Sequence, residues 1–310
     1  MRIPGLSTLI ALLAATASSP AVEPPLILAC EQSEHRLVML DPEADWAEAS
    51  AVVWEWRADR DPGVAAEHRR WFRHPSDAKG GDGSELLTVA SGGGVAVIDR
   101  RSGGVTAYGR AGSNPHSVVR LPGGYLLTAS STDNLLRLFP PPAGKRLEGV
   151  QDLELQDAHG LVWDAGRDCV WALGGKRMKR LAFERGEKRL EVSATIELPV
   201  TERSRRHERH GGHDLVWDAA GKRLLLSDMD DLWSFDPETG GFALLRKGPV
   251  AHVKSLSPPL RKGDPLLVMQ ASEQWWSDRV RSLDGAWSRR MPGARFYKAR
   301  WVPGGSAGGE

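Results

Sequence analysis

The sequence predicts an all-β chain wound into a six-bladed β-propeller of four-stranded blades, and three observations predict it. Short apolar runs separated by Gly, Pro and Asp turns recur along the chain, and no helical periodicity of useful length interrupts them. One unit is nearly duplicated: His159-Gly160-Leu161-Val162-Trp163-Asp164-Ala165 returns as His213-Asp214-Leu215-Val216-Trp217-Asp218-Ala219. Related units start near Ser76, His116 and Lys254, giving steps of 40, 43, 54 and 41 residues. That is the period of a propeller blade.

Taken in chain order, Arg2 and the apolar stretch 6–17 predict a leader over residues 1–21, too short to span a bilayer and followed by a small-residue cleavage pattern. No later run approaches a membrane span, so an exported, secreted or periplasmic chain is expected. The propeller is assigned to residues 22–303 and a flexible tail to 304–310. Ile27-Leu28-Ala29-Cys30 loosely imitates a lipoprotein box, but Glu23-Pro24-Pro25 separates it from the apolar stretch, so Cys30 is read as a strand residue. Export permits disulfides, yet Cys30 and Cys169 fall on opposite units and are expected to be free, buried thiols.

Residues 26–32 begin abruptly as a second strand, with 36–42 and 51–56 as the third and fourth. The segment 297–302, followed by Pro303-Gly304, reads as a first strand that then stops. One blade is thereby assembled from both ends of the chain, which closes the ring and removes its exposed edges. Between these ends, each unit follows the plan of strand, turn, strand: Leu121-Pro122-Gly123-Gly124 and Gly166-Arg167-Asp168 are two of the turns. The long step of 54 residues places about ten extra residues at 201–210 (TERSRRHERH). They form either a solvated charged loop or a lid whose arginines attract an anion.

A balance of 41 Lys+Arg against 40 Asp+Glu excludes a general nucleic-acid binder. Tryptophan supplies 12 of the aromatic residues beside only 3 Tyr and 6 Phe. Trp163, Trp217, Trp171 and Trp301 lie on repeat strands and are expected to pack between blades. Trp275 and Trp276 have no counterpart in the other units and are candidates for stacking on a sugar.

The residue that opens each innermost strand should sit at the rim of the central channel. Those positions read Ser76, His116, His159, His213, Lys254, and Tyr297 or Lys298, with His74, Asp77 and Lys79 as alternates in the blade of Ser76. Three imidazoles from consecutive blades could hold one divalent metal (Zn, Mn or Ca) with an open position for water or substrate. The alternative is that they only brace the blades. Lys254, Lys298 and Arg295 bring positive charge to the opposite side of the mouth. A histidine arc facing a cationic arc suits an acidic oligosaccharide. In a lyase reaction the cations or a metal would neutralise a uronate carboxylate while a histidine or Tyr297 removes the adjacent proton. A non-catalytic ligand-binding or protein-interaction propeller is the competing expectation, and a monomer is expected under either.

Other motifs fail. Ser91-Gly92-Gly93-Gly94 is a turn with no following helix, and no nucleophile elbow, zinc-type His-Glu-x-x-His or Cys-x-x-Cys is present. Asp228-Met229-Asp230-Asp231 lacks EF-hand spacing and reads as an exposed hairpin.

Several stretches together resemble an uncharacterised family of exported bacterial six-bladed propellers, catalogued as a domain of unknown function. They are Ala90-Ser91-Gly92-Gly93-Gly94, Asn114-Pro115-His116-Ser117, the two His-x-Leu-Val-Trp-Asp copies, Val253-Lys254-Ser255 and Phe296-Tyr297-Lys298-Ala299-Arg300-Trp301. The resemblance spans nearly the whole mature chain and implies a single propeller, with no established activity. More loosely, the Pro-His-Ser and Leu-Pro-Gly-Gly pattern is similar to propellers of the arylsulfotransferase and NHL type, and the histidine-lined channel resembles several polysaccharide lyases. These likenesses are architectural.

Overall fold

The computed structural model describes residues 23–81, 83–202, 211–246 and 250–304. The predicted leader, most of the long loop (203–210) and tail residues 305–310 lie outside the described residues.

Alternating apolar residues with β-branched side chains pair into six sheets arranged as a ring, the predicted propeller. The innermost strands, in chain order, are Pro75–Gly80, Pro115–Arg120, Ala158–Asp164, Asp214–Asp218, Val253–Ser257 and Phe296–Val302, and they open blades one to six. In blade six the last strand of the chain pairs with the first. Ile27 faces Trp301, Leu28 faces Arg300 and Ala29 faces Ala299, and Arg36–Leu40 and Val52–Trp56 complete the sheet. The expected closure is therefore observed.

Blade one departs from the plan. It carries a fifth strand, Arg146–Leu147, which leaves the outer connection of blade two and adds in parallel to Gly104–Arg110. Arg146 then lies over the rings of Trp71 (5.0 Å) and Tyr108 (4.7 Å), a cation–π contact that clips the two blades together.

Each pair of neighbouring blades shares its own apolar cluster, because a blade is buried on both faces. Leu87, Val97 and Val118 join blades one and two, Leu127, Leu161 and Leu181 join two and three, and Leu173, Leu215 and Phe235 join three and four. Leu225 with Leu256, Met269 with Trp301, and Met39 with Ile98 continue the series around the ring. At about 1.5–3 kcal/mol per large apolar side chain removed from water, these six seams are the main stabilising feature. Trp171 and Trp301 are buried in them, and Trp163 and Trp217 pack against them partly buried, as the repeat predicted. Cys30 and Cys169 are free and buried on blades six and three. Burial pushes both thiols above their ordinary range, which suits packing rather than reactivity.

The acidic run at Asp228 corrects one expectation. Asp228, Asp230 and Asp231 are buried. Asp228 Oδ1 accepts the backbone N–H groups of Asp230 and Asp231, and Oδ2 accepts Trp233 Nε1–H, so this carboxylate ties its own hairpin.

Candidate functional site

A common backbone device delivers side chains to the channel. In blades one, two, three and five the strand register slips at Ser76, His116, His159 and Lys254, each the extra residue of a β-bulge. A bulge bends the strand and re-aims its side chain, and His159 and Lys254 reach the channel-mouth cavity from such positions. Two residues earlier in each case stands a left-handed residue: His74 (φ 55°), Asn114 (φ 53°), Asp157 (φ 50°) and His252 (φ 62°). His, Asn and Asp tolerate that conformation better than other non-glycine residues. In blade six two residues, Tyr297 and Lys298, face the single Cys30, and in blade four His213 directly precedes the strand.

The three imidazoles do meet. The rings of His116 and His159 stack at 4.2 Å and 12°, and His213 meets His159 edge-on at 5.2 Å. They are not equivalent, however. His159, His213 and Lys254 line a cavity of about 740 Å³ at the channel mouth, together with Asp157, Met229 and His252. Neither His116 nor Tyr297 is on its wall; the Tyr297 hydroxyl bonds His116 Nδ1 at 3.0 Å, and both residues are buried. Burial and the Asp214 and Asp77 charges push the Tyr297 phenol well above its usual range, so it is protonated at neutral pH and a poor base.

Nor do the rings present a joint ligand set. Lone pairs lie in the imidazole plane, so two nearly parallel stacked rings direct them along separate planes and not to one point. His159 Nδ1 donates to the Asp157 carbonyl at 2.8 Å, and His213 Nε2 meets Met229 Sδ at 2.8 Å and Lys254 Nζ at 3.2 Å. Among the described residues no group of three or more His, Cys, Asp or Glu side chains is placed to hold a metal.

Several predicted pocket residues sit elsewhere. Ser76 is fully buried and bonds the carbonyls of Val89 (3.2 Å) and Pro115. Lys298 and Asp77 belong to an ionic plug inside the channel. Lys298 Nζ lies 3.0 Å from Asp214 Oδ1, and Arg300 bridges Asp77 Oδ1 (2.8 Å) and Asp214 Oδ1 (2.7 Å). Lys79, further along its strand, reaches Asp77 at 3.3 Å and Ser117 Oγ at 2.8 Å. Burial alone would raise the pKa of both carboxyls, but the neighbouring Arg300 and lysine charges overcome it and hold them below the usual range. Burial instead dominates at Lys79, which is lowered to about 8.

The same layer stitches the blades. Ser117 Oγ accepts Leu161 N–H, Asp214 Oδ2 accepts Leu256 N–H, and Ser255 Oγ accepts Ala299 N–H, each from the next blade. Gly160 occupies this position in blade three, where a Cβ would stand 2.7 Å from that of Leu215.

Lys254 is different. Among the described residues no carboxylate pairs with its ammonium, and burial with the Lys298 charge lowers it to about 8. Gln274 is on the cavity wall, and Trp275 beside it is half exposed, its indole N–H bonded to Gln32 Oε1 at 3.0 Å. Trp276 is not an open platform, since the Arg295 guanidinium covers its ring at 5.0 Å.

The sequence profile of a family of unknown function (DUF6528) matches residues 15–306. The chain belongs to this family. No curated protein matches it. Among solved structures, this DUF6528 chain is similar to a protein of unknown function from Bacteroides caccae, with 11% identity and TM-score 0.59, covering 90% of this chain and 99% of that one. It is also similar to a Bacteroides uniformis protein provisionally titled a 6-phosphogluconolactonase, with 14% identity and TM-score 0.53, covering 89% and 87%. A chain of a nidogen–laminin complex follows, with 12% identity and TM-score 0.57, covering 90% and 98%. At such identities the likeness shows the propeller fold alone.

Asp157 and His252, which line the cavity, were not anticipated. Their signal was present: His, Asn or Asp stands two residues before the rim residue in four blades. Among the described residues no helix is long and apolar enough to cross a membrane.

Proposed function

We propose that the channel mouth of this propeller binds a small acidic, hydroxyl-rich ligand, such as one unit of an acidic oligosaccharide, with its carboxylate on Lys254. One observation carries the reading: a largely buried ammonium faces a cavity of about 740 Å³ and, among the described residues, forms no ion pair, the Asp157 carboxylate on the same wall acting on it only at a distance. Neutral groups around it, Asn134, Gln156, Gln274 and the imidazoles, match sugar hydroxyls, and the exposed face of Trp275 extends the same wall outward.

A second reading is supported by His159. Its Nδ1–H is committed to the Asp157 carbonyl, which leaves Nε2 as an unprotonated acceptor, and burial keeps the ring neutral by lowering its pKa. In a β-elimination Nε2 would take the proton α to the carboxylate held by Lys254, as the bond to the leaving oxygen breaks, a carbon–carbon double bond forms and water protonates the departing sugar oxygen.

Calorimetric titration with oligogalacturonate and its neutral counterpart tests both. A charged hydrogen bond contributes about 1.5–3 kcal/mol, so Lys254→Gln should weaken acid binding about 10- to 100-fold. Because the ligand needs the protonated amine, affinity should hold below pH 8 and fall as pH rises through the lysine pKa of about 8. Equal binding of the neutral oligomer, or an unchanged Lys254→Gln affinity, overturns the binding reading. Ultraviolet absorbance from an unsaturated product, lost in His159→Gln, would establish the elimination; binding without it leaves the site non-catalytic.

A further inference from the structure

A second cavity lies away from the channel, where the 3-10 segment Ala66–Phe72 meets the turn at His35 in blade six. It measures about 290 Å³, and its wall includes Arg69, Arg70 and Arg73 with His35, Asp59 and Phe72. Three guanidinium-bearing residues within five positions concentrate positive charge on this wall. The one carboxylate on the wall is already taken, since Asp59 is held by Arg57 through Nε at 3.1 Å. Among the described residues none of the three arginines has a carboxylate partner.

The surroundings of the arginines give two further observations. Arg69 Nε is shut off from solvent and has no hydrogen-bond partner among the described residues, an arrangement that proteins seldom leave unfilled. His35 Nδ1 accepts the backbone N–H of His74 at 3.3 Å, which places a neutral ring on this wall beside the arginines. Burial and the Arg73 charge depress the His35 pKa, and burial, His35, Arg73 and Arg295 depress that of His74.

We propose that this cavity is a separate anion site that takes a sulfate or phosphate group, free or as an ester on a small molecule. Guanidinium forks match tetrahedral oxyanions two bonds at a time, and the cavity is at the small end for ligand pockets, which suits a compact group rather than a chain.

The test is calorimetric titration of the full chain with inorganic sulfate, inorganic phosphate and glucose 6-phosphate, at an ionic strength held constant with chloride. With the channel-mouth cation removed in every sample by Lys254→Gln, saturable binding is expected, and adding Arg69→Gln/Arg73→Gln should weaken it at least tenfold. A tighter glucose 6-phosphate than phosphate identifies an ester as the ligand, and equal affinities identify the free ion. Absence of saturation, an unaffected double variant, or acetate binding as tightly as sulfate overturns the proposal. Should circular dichroism show that pair misfolded, Arg70→Gln/Arg73→Gln, at two exposed positions, gives the same reading. The Lys254→Gln background keeps this site's failure distinct from that of the channel mouth.

Discussion

At the scale of single residues, the channel sorts its charges by depth. Lys254 ends at the mouth without a carboxylate, whereas Lys298 is fully buried against Asp214 and the His116 carbonyl. In the sequence both are lysines near the start of an inner strand. What separates them is the partner, and Asp214 lies 84 residues from Lys298 along the chain. The ionic plug should be sensitive to half-removal. Asp214→Ala leaves Lys298 and Arg300 buried with only Asp77 nearby, and breaking one side of a buried pair is worth about 3–5 kcal/mol. A urea midpoint lowered to match is the expected result, and Asp214→Leu/Lys298→Met should recover part of the loss in a double-mutant cycle.

At the scale of elements, the repeated left-handed residue and bulge explain why a sequence repeat marked the same bulged point of the inner strand in four blades, although only some of those side chains reach the channel mouth. The bulge adds one residue at the same point of the unit, so the position survives sequence divergence while its side chain varies among Ser, His and Lys. Asn114 holds φ 53° and bonds Ser131 Oγ through Nδ2 at 3.1 Å. A β-branched residue is strained there, at about 1–2 kcal/mol for the conformation alone. Asn114→Val should therefore lower the thermal midpoint, and Asn114→Gly should lower it much less. Equal losses would mean that the side-chain bond, not the backbone, matters at this turn. Blade six escaped the pattern because two residues face one, which is why Tyr297 and Lys298 were indistinguishable as rim positions.

At the scale of the molecule, the seam between the first and last strands closes the ring. Phe296–Val302 supplies the inner strand of blade six, and Phe296 packs against Trp46 at 5.8 Å. Ending the chain before Phe296 would leave Leu26–Glu31 as an open edge and remove Arg300 from the plug. The expected outcome is loss of a single cooperative unfolding transition, read by calorimetry. A truncated chain that unfolds as sharply as the full one would show that closure is dispensable.

The sequence determined the architecture because each blade is local: alternation, turn residues and a period of roughly forty residues are written within one unit. It also identified the histidines, since position in a repeat is a local property. Only the tertiary structure decided which of them face solvent, which cations are already paired, and that the imidazoles stack instead of converging on one point. Those outcomes depend on side chains from blades far apart in sequence meeting on the axis, and burial and charge pairing exist only once the ring has closed.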